Sequence, residues 1–153
     1  MLSEGQQFPE FSLQDQDGNR ISNADLKGSK AILYFYPKDD TPGCTVEACE
    51  FQSAAADLKA AGKEGARVLG VSPDSPKSHR KFADKFNLSF TLLADVDHAL
   101  ADSVGVWVEK SMYGKKYMGV DRTTFVLDEQ GKVAKIYSKV KPEGHAGSVI
   151  SEL

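Results

Sequence analysis

Six consecutive apolar or aromatic residues, Ala31 to Tyr36, run without a polar interruption until Pro37 ends them. A strand with one wet face alternates between apolar and polar residues. A strand without alternation is buried on both faces, as in the middle of a sheet covered by helices on each side. The flanking sequence supplies such helices. After the loop KDDTPG, the stretch CTVEACEFQSAAADLKAAG is rich in helix formers and meets a C-cap signal at Gly62. Residues 44, 48, 51, 55 and 58 (Cys, Ala, Phe, Ala, Leu) recur at a 4-3-4-3 spacing, which predicts one apolar helix face with Cys44 at its start.

The same alternation continues. Arg67 to Val71 reads as a second short strand, and Ser75-Pro76 as an N-cap with proline in the first helical position, opening a helix to about Phe86. Leu88 to Leu93 reads as a third strand, and Asp97 as the cap of a short helix through Val104. TTFVLD and KVAKIYS flank Glu129-Gln130-Gly131 as an antiparallel hairpin, and a terminal helix starts near His145. At the other end, FSLQ (11–14), the turn Asp17-Gly18 and Asn19-Arg20-Ile21 predict a small N-terminal hairpin. The order implies an α/β protein, a mixed central sheet with helices on both faces, and a thioredoxin-like arrangement fits it best. With no internal repeat or long linker, residues 1–153 read as a single domain.

Charge excludes several functions. The net charge is -3 and the lysines are interspersed with acids, so there is no basic stripe for nucleic acid and no attraction to an anionic membrane. MLSEGQQFPEF has no apolar core segment, and AILYFYP is too short to cross a bilayer. Two cysteines are too few for a secreted disulfide scaffold, so a reducing cytoplasm is the expected compartment.

Cys44 has two readings. In the first turn of a helix its thiolate, the nucleophilic form, is favoured by unpaired backbone N–H groups and the helix dipole. Equally, it could be a small buried hydrophobe. Cys49 adds information. On a regular helix it lies about 140° around from Cys44 and about 7.5 Å along, which places the Cα atoms about 8–9 Å apart, beyond disulfide reach unless the backbone moves. The spacing is not that of a C-x-x-C pair and looks more like a nucleophile with a nearby second thiol that engages only after a conformational change. Zinc is a weaker reading, because C-x4-C is a poor ligand pair and His79, His98 and His145 are scattered, as surface histidines would be. Trp107, Tyr113 and Tyr117 read as packing residues, and Glu47, which falls inside the string VEAC, could equally be a helix-start carboxylate favoured by the dipole.

At this point the strings become specific. PKDDTPGC at 37–44 resembles the P-x-x-x-T-x-x-C signature of peroxiredoxins, and YPKDDTPGCTVEAC resembles the bacterioferritin comigratory protein, or Q-type, subgroup. The likeness continues through GVSPDSPKSHRKFADKFNL, LLADVDHALADSVGVW and EKSMYGKKYMGVDRTTFVLDEQGKV, nearly the whole chain. Gln52-Ser53 departs from the Arg-Asp often found in the subgroup. The resemblance implies that Cys44 attacks a hydroperoxide, that Thr41 orients the peroxide oxygens, and that Arg122 stabilises the thiolate and the leaving oxygen. It also implies that Pro37 shields the thiolate and that the amides of Gly43 and Cys44 bind the peroxide. Cys49 then resolves the sulfenic acid as a Cys44–Cys49 disulfide, which thioredoxin or a similar dithiol reduces. A monomer with no metal, flavin or haem is implied. Two rivals stand beside this on the same fold: a thiol–disulfide oxidoreductase and a redox sensor.

Overall fold

The computed structural model describes residues 1–60 and 66–153, so the helix end expected at Gly62 lies outside the described residues. β1 (Ser12–Gln14) and β2 (Arg20–Ser22) form the expected N-terminal hairpin, followed by one helical turn, α1 (Asn23–Leu26). Strand and helix then alternate as β3 (Ala31–Phe35), α2 (Pro42–Ala60), β4 (Arg67–Ser72), α3 (Pro76–Phe86), β5 (Thr91–Ala94) and α4 (Ala99–Val104). A ribbon of β6 (Trp107–Met112) and β7 (Lys115–Val120) precedes β8 (Thr123–Leu127), β9 (Val133–Tyr137) and α5 (His145–Ser151).

The main sheet has seven strands in the order β2-β1-β5-β4-β3-β8-β9. β3 runs parallel to β4 and antiparallel to β8, which sets Leu33 between Leu69 and Phe125. Alternate residues of β3 serve opposite layers. Leu33 and Phe35 pack with Phe8, Phe125 and α4, whereas Ile32 and Tyr34 pack with α2, α3 and α5. Both faces are covered, which is why the strand needs no polar residue. In the second layer Tyr34 stacks on Phe51 of α2 at 4.5 Å between ring centroids, and this holds the helix carrying Cys44 against the sheet.

Several expectations shift. The apolar face of α2 holds Cys44, Ala48 and Phe51 as expected, but Ala54 rather than Ala55 is the next buried residue. Asn87, with φ +54, ends α3 in the left-handed conformation, so the third strand starts at Thr91 instead of Leu88. Asp97 accepts only from the Ala99 amide (3.2 Å), while the buried Asp95 accepts from Leu100 (3.1 Å) and Ala101 (2.8 Å) and is the principal cap of α4.

The histidines correct the surface reading, since His79 and His145 are buried. His145 Nε2 lies 2.7 Å from Thr124 Oγ1, pinning α5 to β8, and burial pushes this imidazole down to about 4. The aromatic expectations divide. Trp107 is half-buried and stacks on His98 at 3.9 Å. Tyr113 is 98% exposed and Tyr117 is also exposed, so neither is a packing residue. They lie on the β6–β7 ribbon, an element not anticipated from the sequence. Its turn is Tyr113-Gly114, both at positive φ (53° and 77°), as a two-residue hairpin turn requires.

Candidate active site

Three separate segments meet at Cys44. The first is the loop after β3, which leaves the sheet at Tyr36 and carries half-buried Pro37 and Thr41 to the start of α2. Asp40 takes φ +56 there, a left-handed conformation uncommon for a residue with a side chain. Thr41 Oγ1 donates to the Lys38 carbonyl (3.1 Å), and the Thr41 carbonyl accepts from the Thr45 amide (2.8 Å), which opens the helical ladder. The amides of Gly43 and Cys44 precede that first bond and so belong to the unpaired donors at a helix N-terminus.

The second segment is the first two turns of α2. Cys44 is buried, and Glu47, three residues on, is buried as well at 1% exposure. The third is the start of β8, where Arg122 reaches across to both. Its Nη2 donates to Cys44 Sγ at 3.0 Å and its Nη1 donates to Glu47 Oε1 at 2.9 Å. A planar guanidinium presents two donors in fixed register, so one side chain can serve both acceptors.

The approach is tight. A Cβ on Gly43 would lie 3.0 Å from Arg122 Nη2 and 3.4 Å from Pro142 Cγ, so glycine keeps the guanidinium path open. Burial pushes the Glu47 carboxyl up to about 7 against the pull of the Arg122 charge, and its Oε2 has no hydrogen-bond partner. Cys49 lies on the same helix, half-buried, and both thiols are free. About one and a half turns of regular helix therefore hold the sulfurs out of disulfide geometry, as the spacing predicts.

The structure thus brings Arg122 against Cys44 and Gly43, while Thr41 stands three residues before Cys44 with its hydroxyl on the Lys38 carbonyl, and Pro37 lies at the far end of the loop. Glu47, read as a helix-start carboxylate, joins them through Arg122. What the site can do follows from its parts. A sulfur in hydrogen-bond contact with a guanidinium at a helix start is placed to act as a nucleophile, and the same donors can take up charge developing on a departing oxygen.

A seven-stranded mixed sheet of this order, with a cysteine at the start of the helix that follows the inner strand β3, is a thioredoxin-like peroxiredoxin fold. Residues 4–136 match the model of the AhpC/TSA family, and the chain belongs to that family. Within it the similarity is to the Bcp, or Q-type, peroxiredoxins. The chain is 50% identical over 149 residues to a putative peroxiredoxin Bcp of Coxiella burnetii, covering 97% of each. It is 43% identical over 152 residues to peroxiredoxin Bcp of Escherichia coli K12, covering 99% of this chain and 96% of that one. Among solved structures, a cysteine-to-serine mutant of Xylella fastidiosa PrxQ superposes with a TM-score of 0.91 at 31% identity, over 99% of this chain and 95% of that chain. No helix among the described residues is long and apolar enough to cross a membrane.

Proposed function

We propose that the chain is a thiol peroxidase acting on hydrogen peroxide and organic hydroperoxides, with Cys44 as the attacking thiol. The observation that carries this is the 3.0 Å contact between Arg122 Nη2 and Cys44 Sγ at the start of α2. The Cys44 thiolate attacks the terminal peroxide oxygen, the O–O bond breaks, and the leaving alkoxide or hydroxide takes a proton. The product is a sulfenic acid and an alcohol or water. Thr41 and the amides of Gly43 and Cys44 orient the peroxide, Arg122 neutralises the leaving oxygen, and Pro37 limits water at the sulfur. The Cys49 thiol then displaces water from the sulfenic acid to form the Cys44–Cys49 disulfide, and a dithiol protein of the thioredoxin type reduces it. A monomer in a reducing cytoplasm suits this cycle, which uses two free cysteines and no bound cofactor.

Rapid mixing with one equivalent of peroxide tests the division of labour. Cys44→Ser should abolish the reaction, because a serine hydroxyl is hardly ionised at neutral pH. Cys49→Ser should oxidise Cys44 at the wild-type rate but recycle slowly with thioredoxin and its reductase. Wild-type first-step rates in Cys44→Ser would sink the assignment. Oxidation without sustained turnover in the coupled assay would make the chain a redox sensor.

A further inference from the structure

The loop that carries Thr41 is tied down by a buried polar cluster. Asp39, buried midway along that loop, accepts from Tyr36 Oη at Oδ1 (2.6 Å) and from Ser78 Oγ at Oδ2 (2.8 Å). His79 Nδ1 also meets Asp39 Oδ2, at 2.7 Å, and the other ring nitrogen, Nε2, lies 2.9 Å from the Leu93 carbonyl. The Asp39 amide donates to Asp74 Oδ2 (2.9 Å), which itself accepts from Ser72 Oγ (2.6 Å). The loop is thereby bonded to the ends of β3, β4 and β5 and to the first turn of α3. Asp39, Asp74 and His79 could be taken for cation ligands. Two ligands sharing a tetrahedral zinc at about 2.0–2.1 Å sit about 3.3 Å apart, whereas 2.7 Å is a hydrogen-bond distance. This is a clamp.

What the clamp holds is informative. Between Asp39 and Thr41 lies Asp40, at φ +56, and its carboxylate is paired with Lys85 of α3 at 2.8 Å. A non-glycine residue persists in that conformation only where its surroundings fix it. Release of Asp39 lets Asp40 relax toward ordinary backbone angles, and Thr41 moves with it. We propose that His79 is a positioning residue for peroxide reduction, acting through Asp39 to aim Thr41 at the Cys44 site. This rests on the catalytic reading of Cys44 and Thr41 given above.

The two ring nitrogens allow a split test. His79→Asn keeps a donor near the Nδ1 position, toward Asp39. His79→Gln keeps one near the Nε2 position, toward Leu93, and withdraws the donor from Asp39. In a Cys49→Ser background, Cys44 oxidation by hydrogen peroxide is followed by rapid quench and sulfenic-acid trapping, with urea midpoints measured on the same samples. His79→Gln should slow oxidation on the order of 10-fold or more, the scale expected of a misplaced orienting group. His79→Asn should recover most of that loss, although both variants lower the urea midpoint. Added to Asp39→Asn, His79→Gln should cost nothing further. Equal rates in the two His79 variants, fast or slow, overturn the proposal. If neither variant folds, Ser78→Ala decides, and an unchanged rate there overturns it too. Peroxide oxidation that survives Cys44→Ser removes the catalytic reading itself, and the proposal with it, whereas a dead Cys44→Ser with equal His79 variants removes the proposal alone.

Discussion

Arginine at position 122 performs a task that a lysine could not divide. Two donors leave one planar group and reach Cys44 Sγ and Glu47 Oε1 at once, and the group cannot give up its proton. Arg122→Lys leaves one of the two acceptors without its bond. It should slow peroxide attack on the order of 10²-fold or more, by comparison with loss of an oxyanion-hole donor. Gly43→Ala approaches the same contact from the other side, by setting a methyl 3.0 Å from Nη2. It should slow attack less than Arg122→Lys while leaving Cys44 in place. Single-turnover rates for the pair check this, and an Arg122→Lys rate equal to wild type would remove the guanidinium from the chemistry. Arg122 stands out in the sequence only through its string, GVDRTTFVLD. Glu47 is ambiguous in the sequence for a definite reason: a carboxylate in the early turns of a helix is favoured by the dipole wherever the helix lies. Its burial depends on β8 arriving overhead, 75 residues later in the chain.

At the scale of elements, α2 is the part under strain from its own function. Cys44 and Cys49 sit on one continuous helix, Pro42–Ala60, with Cys44 buried in the apolar layer beside Tyr34 and Tyr36. Joining the sulfurs must break backbone bonds in the first turns and lift Cys44 from that layer. Local opening of a helix end lies well below the cost of global unfolding, so the sheet need not follow. Amide hydrogen exchange over residues 41–52 should be faster in the disulfide form than in the dithiol form. Leu33 and Phe125, paired at the centre of the sheet, should change little. Equal protection in both redox states would exclude unwinding or exclude Cys49 as the partner. The sequence discloses β3 because it is an unbroken apolar run and α2 because it is rich in helix formers, with Cys44, Ala48 and Phe51 on one face. It conceals the β6–β7 ribbon, whose strands are largely exposed and whose Tyr-Gly turn carries weaker hairpin chemistry than Asn-Gly. Asp95 is hidden for another reason. Asp97 is the nearer capping candidate in sequence, but His98 at φ +51 turns the chain so that the earlier carboxylate meets the helix amides.

For the whole molecule, two buried acid–base groups pull the pH dependence of stability in opposite directions. Glu47 is pushed up to about 7 from an ordinary 4.5. Between those values the folded chain keeps a proton that the unfolded chain has released, so stability falls as pH rises through the interval. His145 is pushed down to about 4 from 6.5. Between those values the unfolded chain binds a proton that the folded chain does not, so stability falls as pH drops. Each effect amounts to about 3 kcal/mol across its window, at 1.36 kcal/mol per pH unit of displacement. From pH 4.5 to 6.5 the windows overlap and the two slopes cancel, so these groups together leave the wild-type profile nearly flat there. Glu47→Gln keeps an oxygen for Arg122 but has no proton to hold, which unmasks the His145 slope. Its unfolding free energy, from urea titrations at pH 4.5, 5.5 and 6.5, should climb relative to wild type by about 2 kcal/mol over that range. His145→Gln should show the opposite trend, falling relative to wild type by a similar amount. A Glu47→Gln profile parallel to wild type would mean that Glu47 stays ionised beside Arg122 in the folded protein. In that case the Arg122–Glu47 pair outweighs the cost of burial, and the second acceptor of the guanidinium is a permanent anion rather than a neutral acid.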